Sequence, residues 1–151
     1  MEELVELRRY IEQQRYAEAL DLIAEMEEMS REDKVNKIYS FAEILLLHLI
    51  KQRAEQRTTR SWDLSIRNAT RQIARVNKRY KSGGMYLSEA ELCEVLTEAY
   101  QPALERAALE AFEGRYDDVE LGQKVDSATI EQKAMALIIV HQEARVLRLK
   151  G

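Results

Sequence analysis

The chain has 151 residues, of which 46% are hydrophobic and 33% are charged, and its formal net charge is −4. This length and composition are typical of one folded domain, predicted here over residues 1–151, and they exclude a wholly disordered chain. One proline and five glycines leave few helix breakers, and no alternating β-branched segment is present. We therefore expect an all-α fold without a sheet.

The sequence predicts a cytoplasmic protein. The single Cys93 cannot form an internal disulfide, and the first residues lack the apolar core of a signal peptide. The longest apolar segments, 44–50 and 134–140, are far shorter than the ~20 residues that span a membrane. We therefore expect neither a transmembrane helix nor a membrane partner.

Two helices are predicted at the N-terminal end. The first covers residues 2–13 and places Leu4, Leu7 and Ile11 on one side. The second covers residues 16–29. Its predicted inward-facing residues are Tyr16, Ala19, Leu20, Ile23 and Met26.

The predicted centre of the fold is an antiparallel hairpin of two long helices, at about 31–57 and 61–80. Ser30 begins the first helix with an acidic variant of the capping box, and Ser61 is the predicted cap of the second. Such a short connection makes the two helices antiparallel neighbours. The inner face of the first helix is predicted to contain Val35, Ile38, Ala42, Leu45, Leu46, Leu49 and Ile50.

The second hairpin helix is predicted to have one apolar and one basic face. Six apolar residues repeat at intervals of 4, 3, 4, 3 and 4, as one face of a helix requires. They are Trp62, Ile66, Ala69, Ile73, Val76 and Tyr80. Arginines lie opposite these residues, so the apolar face is expected to point into the core.

The segment after the hairpin is predicted to turn and begin another helix. Gly83 and Gly84 permit a left-handed C-terminal cap of the preceding helix. Ser88 opens a capping box and a helix that runs to about residue 112. Pro102 removes one backbone hydrogen bond, so we expect a kink or break near residues 98–102.

A last helix completes a predicted compact bundle of five to six helices. The segment 114–126 is the least regular and is expected to hold one short turn around residues 118–121. Ser127 or Thr129 is the predicted cap of a helix that runs to about residue 149. Its apolar middle, residues 134–140, is expected to be largely buried.

Four short segments resemble a family of bacterial proteins common in cyanobacteria. They are LLLHLIK (45–51), TRSWDLSIR (59–67), MEEMS (26–30) and EAY (98–100). The family is known as domain of unknown function number twenty-nine, and the resemblance spans most of the chain. It implies a compact all-α fold and carries no established activity.

The sequence predicts no catalytic site, metal site or cofactor. Neither His48 nor His141 follows a glutamate by three residues, as the paired motif of a di-iron bundle requires. One cysteine is too few for a thiolate zinc site. Cys93 is expected to be a small buried residue, and His48 a core-edge residue with a backbone or carboxylate partner. An enzyme is therefore not favoured.

Charge is unevenly distributed along the chain, and its basic part is the candidate interaction surface. Residues 51–81 contain ten basic and two acidic residues, whereas the rest contains 13 basic and 25 acidic residues. At 1.5 Å per residue, the basic face would extend for roughly 30 Å along the two hairpin helices. It comprises Arg53, Arg57, Arg60, Arg67, Arg71, Arg75, Lys78, Arg79 and Lys81.

Three interpretations of this face are open. The acidic N-terminal helices could lie beside it, in the same molecule or in a partner subunit. It could bind another protein or a second copy in a homodimer, or it could bind the phosphates of a nucleic acid. The net negative charge and the lack of a recognised nucleic-acid motif weigh against the last. We therefore expect a non-enzymatic protein that acts through protein–protein contacts or self-association, with nucleic-acid binding as the alternative.

Overall fold

The computed structural model describes residues 2–79 and 83–150, with side chains described as far as residue 145. Within these ranges the chain is all-α, with six α-helices, one 3₁₀ turn and no strand. The helices are α1 (Glu2–Glu12), α2 (Tyr16–Glu55), α3 (Arg60–Asn77), α4 (Glu89–Glu110), α5 (Asp118–Gly122) and α6 (Ser127–Lys150), and the 3₁₀ turn is Ala111–Gly114. The all-α prediction is confirmed. No helix of the described residues is both long and apolar enough to cross a membrane.

The chain divides into two compact units, Met1–Val35 and Asn36–Gly151, and α2 contributes residues to both. The predicted helix boundary at Ser30 is wrong, because α2 continues through this residue. Serine inside a helix costs only a few tenths of a kcal/mol relative to alanine. Ending one helix and starting another would leave up to four backbone carbonyls and four amides without intrahelical partners.

The first unit contains α1 and the beginning of α2. A short turn joins them, in which Gln14 adopts a φ of 60° and the Arg15 amide donates to the Tyr10 carbonyl over 2.8 Å. Ala19 is buried, but Leu20 and Tyr16 are 66% and 58% exposed, so the prediction that they face inward is wrong. At about 100° per residue, Leu20 lies a quarter-turn away from Ala19 and is left uncovered.

The second unit is built around the C-terminal half of α2, which packs against α3 and α4. Leu45, Leu46 and Ile50 are completely buried, as the predicted inner face requires. Two polar contacts relate α2 to α4, Glu43 with Arg106 and Lys51 with Glu110, each over 3.1 Å. Residue numbers rise together along both helices, so this part of α2 and α4 run in the same direction.

The predicted apolar face of α3 is confirmed for the residues that the structure describes. Ala69 and Ile73 are buried, and Trp62 is half-buried with its ring covered by Lys51. Tyr80 lies outside the described residues. The predicted cap at Ser61 is wrong, because the side chain of Thr59 accepts the hydrogen bond from the Trp62 amide over 3.0 Å.

A buried polar network ties the end of α3 to the segment before α4. The Asn77 side chain accepts from the Leu87 amide over 2.8 Å and donates to the Leu87 carbonyl over 3.1 Å. It also donates to Gln142 of α6 over 2.8 Å. Gly83 and Gly84 adopt the expected positive φ angles of 74° and 73°. They do not cap α3 as predicted, because α3 ends at Asn77.

The helix α4 begins with the predicted capping box at Ser88. It continues through Pro102, so the prediction of a break at this position is wrong. Proline leaves the carbonyl four residues earlier, that of Glu98, without its helical donor. The Tyr39 hydroxyl of α2 donates a long hydrogen bond of 3.5 Å to that carbonyl. This contact with α2 compensates part of the loss.

The predicted turn near residues 118–121 is confirmed as α5, and α6 begins at Ser127. Its cap is Asp126 rather than the predicted Ser127 or Thr129. The Asp126 carboxylate accepts from the Thr129 amide over 3.3 Å and from the Thr129 hydroxyl over 2.6 Å. The hydrogen bond from that hydroxyl is the largest cause that lowers the pKa of Asp126, and Arg53 contributes a smaller part.

His48 lies in the polar contact region between α2 and α4. It is half-buried, and its Nδ1 atom is buried without a hydrogen-bond partner among the described residues, contrary to prediction. Burial lowers the pKa of His48 below its ordinary value of 6.5, and the charge of Lys51 adds to this effect. The fold therefore favours the neutral imidazole.

We predict that Asn77→Ala lowers the free energy of unfolding by about 2–3 kcal/mol. The substitution leaves the amide and carbonyl of Leu87 without their side-chain partner in a buried position. Urea denaturation followed by circular dichroism measures the effect. Asn68→Ala, at an exposed position of the same helix, is the matched control and should change stability by less than about 0.5 kcal/mol. Equal effects of the two substitutions would contradict the role of Asn77.

We predict that His48 makes the protein less stable in mild acid. Its pKa is lower in the folded than in the unfolded chain, so the unfolded chain binds the proton first as the pH falls below about 6.5. Stability is then lost until the folded form is protonated as well. Urea denaturation at pH 7.5 and pH 5 should show a smaller difference for His48→Gln than for the wild type. An unchanged difference would show that His48 does not contribute.

Candidate interaction surface

Four arginines lie on one outward-facing side of α3. Arg60, Arg67, Arg71 and Arg75 are all exposed. At about 100° per residue they fall within an arc of about 80°, on the side away from the buried Ile73. The Thr59 cap and the buried apolar face fix the rotation of the helix about its axis. They therefore also fix the direction in which the four arginine side chains leave the helix.

These four guanidinium groups are not neutralised within the described part of the chain. The salt bridges found there involve other basic residues, among them Arg8, Arg15, Lys51, Arg57 and Arg106. Leu64 lies within the same arc and is 61% exposed. We refer to Arg60, Leu64, Arg67, Arg71 and Arg75 as the arginine stripe.

Two basic residues of the segment 51–81, one near the end of α2 and one in the α2–α3 turn, lie against the Trp62 ring instead. Lys51 is only 5% exposed, and its Nζ atom lies 4.6 Å from the centre of the Trp62 ring. The Arg57 guanidinium lies at the same distance from this ring and also pairs with Glu55. Contacts of a cation with an aromatic face are favourable, so these two residues help to hold the turn. The structure therefore does not leave Arg57 as free as the prediction assumed.

The remaining predicted residues differ in their surroundings. Arg53 is exposed on α2, and its charge acts on Asp126 at the start of α6. Lys78 is half-buried at the end of α3, where it forms an isolated bridge with Met85. Arg79 is exposed, with its guanidinium 5.7 Å from the centre of the Tyr86 ring. Lys81 lies outside the described residues. The face is thus most continuous along α3.

A second charged stripe lies on the part of α2 that belongs to the first unit. The sequence predicted that the N-terminal helices are acidic, but not that these charges align on one face. Five exposed acidic residues repeat there at intervals of 3, 4, 3 and 4, and so share one arc of about 80°. We call them the acidic stripe: Glu18, Asp21, Glu25, Glu28 and Glu32. Glu18 pairs with Arg15, whereas the other four form no ion pair with a described residue. Helical spacing of the acidic residues was the signal that could have identified this stripe.

The structure gathers no metal-binding cluster of histidine, cysteine or acidic residues within its described ranges. Cys93 is exposed on α4, so its predicted burial is wrong. The side chains that point inward at this part of α4 are those of Leu92 and Leu96, and Cys93 follows Leu92 by only one position. His141 is half-buried and lines a cavity of about 360 Å³ that is bounded by α2, α3 and α6.

The comparison with protein families identifies a family and names no activity. The family model described as "Domain of unknown function DUF29" matches residues 5–122, more than three quarters of the chain. No curated protein and no solved structure matches the sequence significantly. The matched region includes all of α1 to α4 except the first residues of α1, and therefore both charged stripes. The chain belongs to the DUF29 family.

Proposed function

We propose that this protein is a non-enzymatic protein–protein interaction domain, and that the arginine stripe of α3 is its contact surface. One observation carries the proposal. Four exposed guanidinium groups lie in a row on a well-anchored helix, and they form no ion pair with any residue that the structure describes. The cytoplasmic location remains a prediction from the sequence.

The stripe is unfavourable for the isolated chain. Arg67, Arg71 and Arg75 follow one another at intervals of four, so each neighbouring pair of like charges destabilises the helix by roughly 0.2–0.5 kcal/mol. An acidic partner surface would remove this repulsion and replace it with attraction. A partner would therefore supply the neutralising negative charges that the described part of the chain does not place beside the stripe.

The side-chain chemistry favours an acidic protein surface. A guanidinium is planar, weakly hydrated and able to bind a carboxylate through two parallel hydrogen bonds, and arginine is enriched at protein interfaces. The exposed Leu64 lies between Arg60 and Arg67, where it would add apolar contact area. A mixed row of arginine and leucine suits a protein surface better than a chain of phosphates.

Nucleic acid is the second candidate, because the same unpaired guanidinium groups could bind phosphates. Single-stranded nucleic acid is usually held by aromatic stacking as well. Trp62 does not offer an open ring for this purpose, since Lys51 and Arg57 both lie against it. The net charge of −4 also opposes a polyanion.

We predict that the triple substitution Arg67→Gln, Arg71→Gln and Arg75→Gln reduces the capture of protein partners at least fivefold. The purified, nuclease-treated protein would be immobilised and exposed to extract of its source cells, and bound proteins would be quantified by mass spectrometry. The change removes three positive charges at exposed positions, so circular dichroism should show an unchanged fold.

The matched control removes three exposed positive charges outside the stripe, by Arg115→Gln, Lys124→Gln and Lys133→Gln. Equal binding by the two triple variants would contradict the proposed surface. A gel shift with single- and double-stranded nucleic acid at 50 mM salt tests the second candidate. Arginine-dependent retardation without arginine-dependent protein capture would favour nucleic acid instead.

A further inference from the structure

We propose that the partner of the arginine stripe is the acidic stripe of a second copy of this chain. This inference rests on the proposed function and specifies the partner. Both stripes are exposed, both lie on one side of a helix, and they carry opposite charges. Four of the five acidic residues and all four arginines form no ion pair with a described residue, so both sets are available for pairing.

The two stripes match in length. From Glu18 to Glu32 the axial rise is about 21 Å, and from Arg60 to Arg75 it is about 23 Å, at 1.5 Å per residue. Charged side chains follow each other at intervals of three or four residues in the acidic stripe. In the arginine stripe, counted with Leu64, the intervals are four, three, four and four. Two helices laid side by side can therefore pair along their whole charged length.

An antiparallel arrangement also aligns the apolar residues. With Arg75 opposite Glu18, the register brings Arg71 to Asp21, Arg67 to Glu25 and Arg60 to Glu32. The same register brings Leu64, 61% exposed, to Met29, 60% exposed. Antiparallel helix dipoles attract each other as well. A parallel arrangement would place Leu64 near Asp21 instead, so the antiparallel register is the better match.

The contact should be weak and sensitive to salt. Exposed ion pairs contribute little individually and are screened as ionic strength rises. We expect the dissociation constant for self-association to rise at least tenfold between 50 mM and 500 mM salt. Analytical ultracentrifugation of the full-length chain over a range of concentrations measures it.

Charge reversal provides the decisive test. One variant carries Glu18→Arg, Asp21→Arg and Glu25→Arg, and the other carries Arg67→Glu, Arg71→Glu and Arg75→Glu, which the proposed register places opposite them. Each variant alone should self-associate at least tenfold more weakly than the wild type, because like charges then face each other. An equimolar mixture of the two should associate within about threefold of the wild type, since every altered stripe meets an oppositely charged one.

The matched control reverses three exposed acidic residues of α4, by Glu94→Arg, Glu98→Arg and Glu105→Arg, and should associate as the wild type does. Circular dichroism checks that all variants are folded. The register is tested by mixing Leu64→Cys and Met29→Cys chains, both with Cys93→Ser, under mild oxidation. A disulfide-linked heterodimer is expected in this mixture, and preferential cross-linking at Asp21→Cys instead would overturn the antiparallel register.

The outcomes separate this inference from the proposed function. A wild type that is monomeric at every concentration, or a mixture that does not restore association, overturns the second copy as partner. If that monomer still captures another protein through the arginines, the proposed function stands and only the identity of the partner is overturned. Arginine-dependent binding of nucleic acid alone would overturn both.

Discussion

Burial of the apolar segment 44–50 of α2 is the constraint on which the second unit depends. Leu45, Leu46 and Ile50 are completely enclosed, and each such side chain contributes roughly 1.5–3 kcal/mol when it leaves water. At about 100° per residue, the buried residues from Leu45 to Ile50 cover an arc of about 200°. One neighbouring helix cannot cover so wide an arc. In the structure, both α3 and α4 pack against α2.

The position of the arginine stripe follows from this packing. Ile73 and Ala69 must face the core, so residues on the opposite side of α3 must face water. Lys51 follows the apolar segment directly and is drawn into the interior, where its ammonium group contacts Glu110 and the Trp62 ring. A buried charge needs such partners. The same packing thus buries Lys51 and leaves the four arginines of the arginine stripe exposed.

Periodicity and composition were sufficient to predict the all-α class and the inner faces of the helices in the second unit, but not the inner face at the beginning of α2. The apolar intervals from Trp62 onward placed Ala69 and Ile73 in the core, and the capping box at Ser88 marked the start of α4. Ser30 shows where this reasoning fails. It carries the same capping signal, yet it lies inside α2, because local capping preference amounts to about 1 kcal/mol and continuous helix formation outweighs it.

Contacts between distant residues could not be predicted from local patterns. Asn77 is completely buried, and its side chain forms hydrogen bonds with the backbone of Leu87, ten residues away, and with Gln142, 65 residues away. These hydrogen bonds make the burial of a polar side chain tolerable. Pro102 leaves α4 unbroken although its ring removes a hydrogen bond from Glu98. The number of free arginines was overestimated for the same reason, since only coordinates show that Arg57 lies against Trp62.

The distribution of charge between the two units gives the chain a polarity that its net charge hides. Residues 1–35 contain five basic and eleven acidic residues, whereas residues 36–151 contain 18 basic and 16 acidic residues. Charges spread evenly over a surface keep a protein soluble without directing it to a partner. Charges aligned on one side of a helix can also select a partner, because their attraction depends on the register and direction of the partner's charges. Like charges held in a row also repel each other within one molecule, and an aligned row of the opposite sign relieves this repulsion best. That dependence on alignment, more than the amount of charge, is the basis on which we propose an acidic helix of a second copy, rather than an unordered anion, as the partner of the arginine stripe.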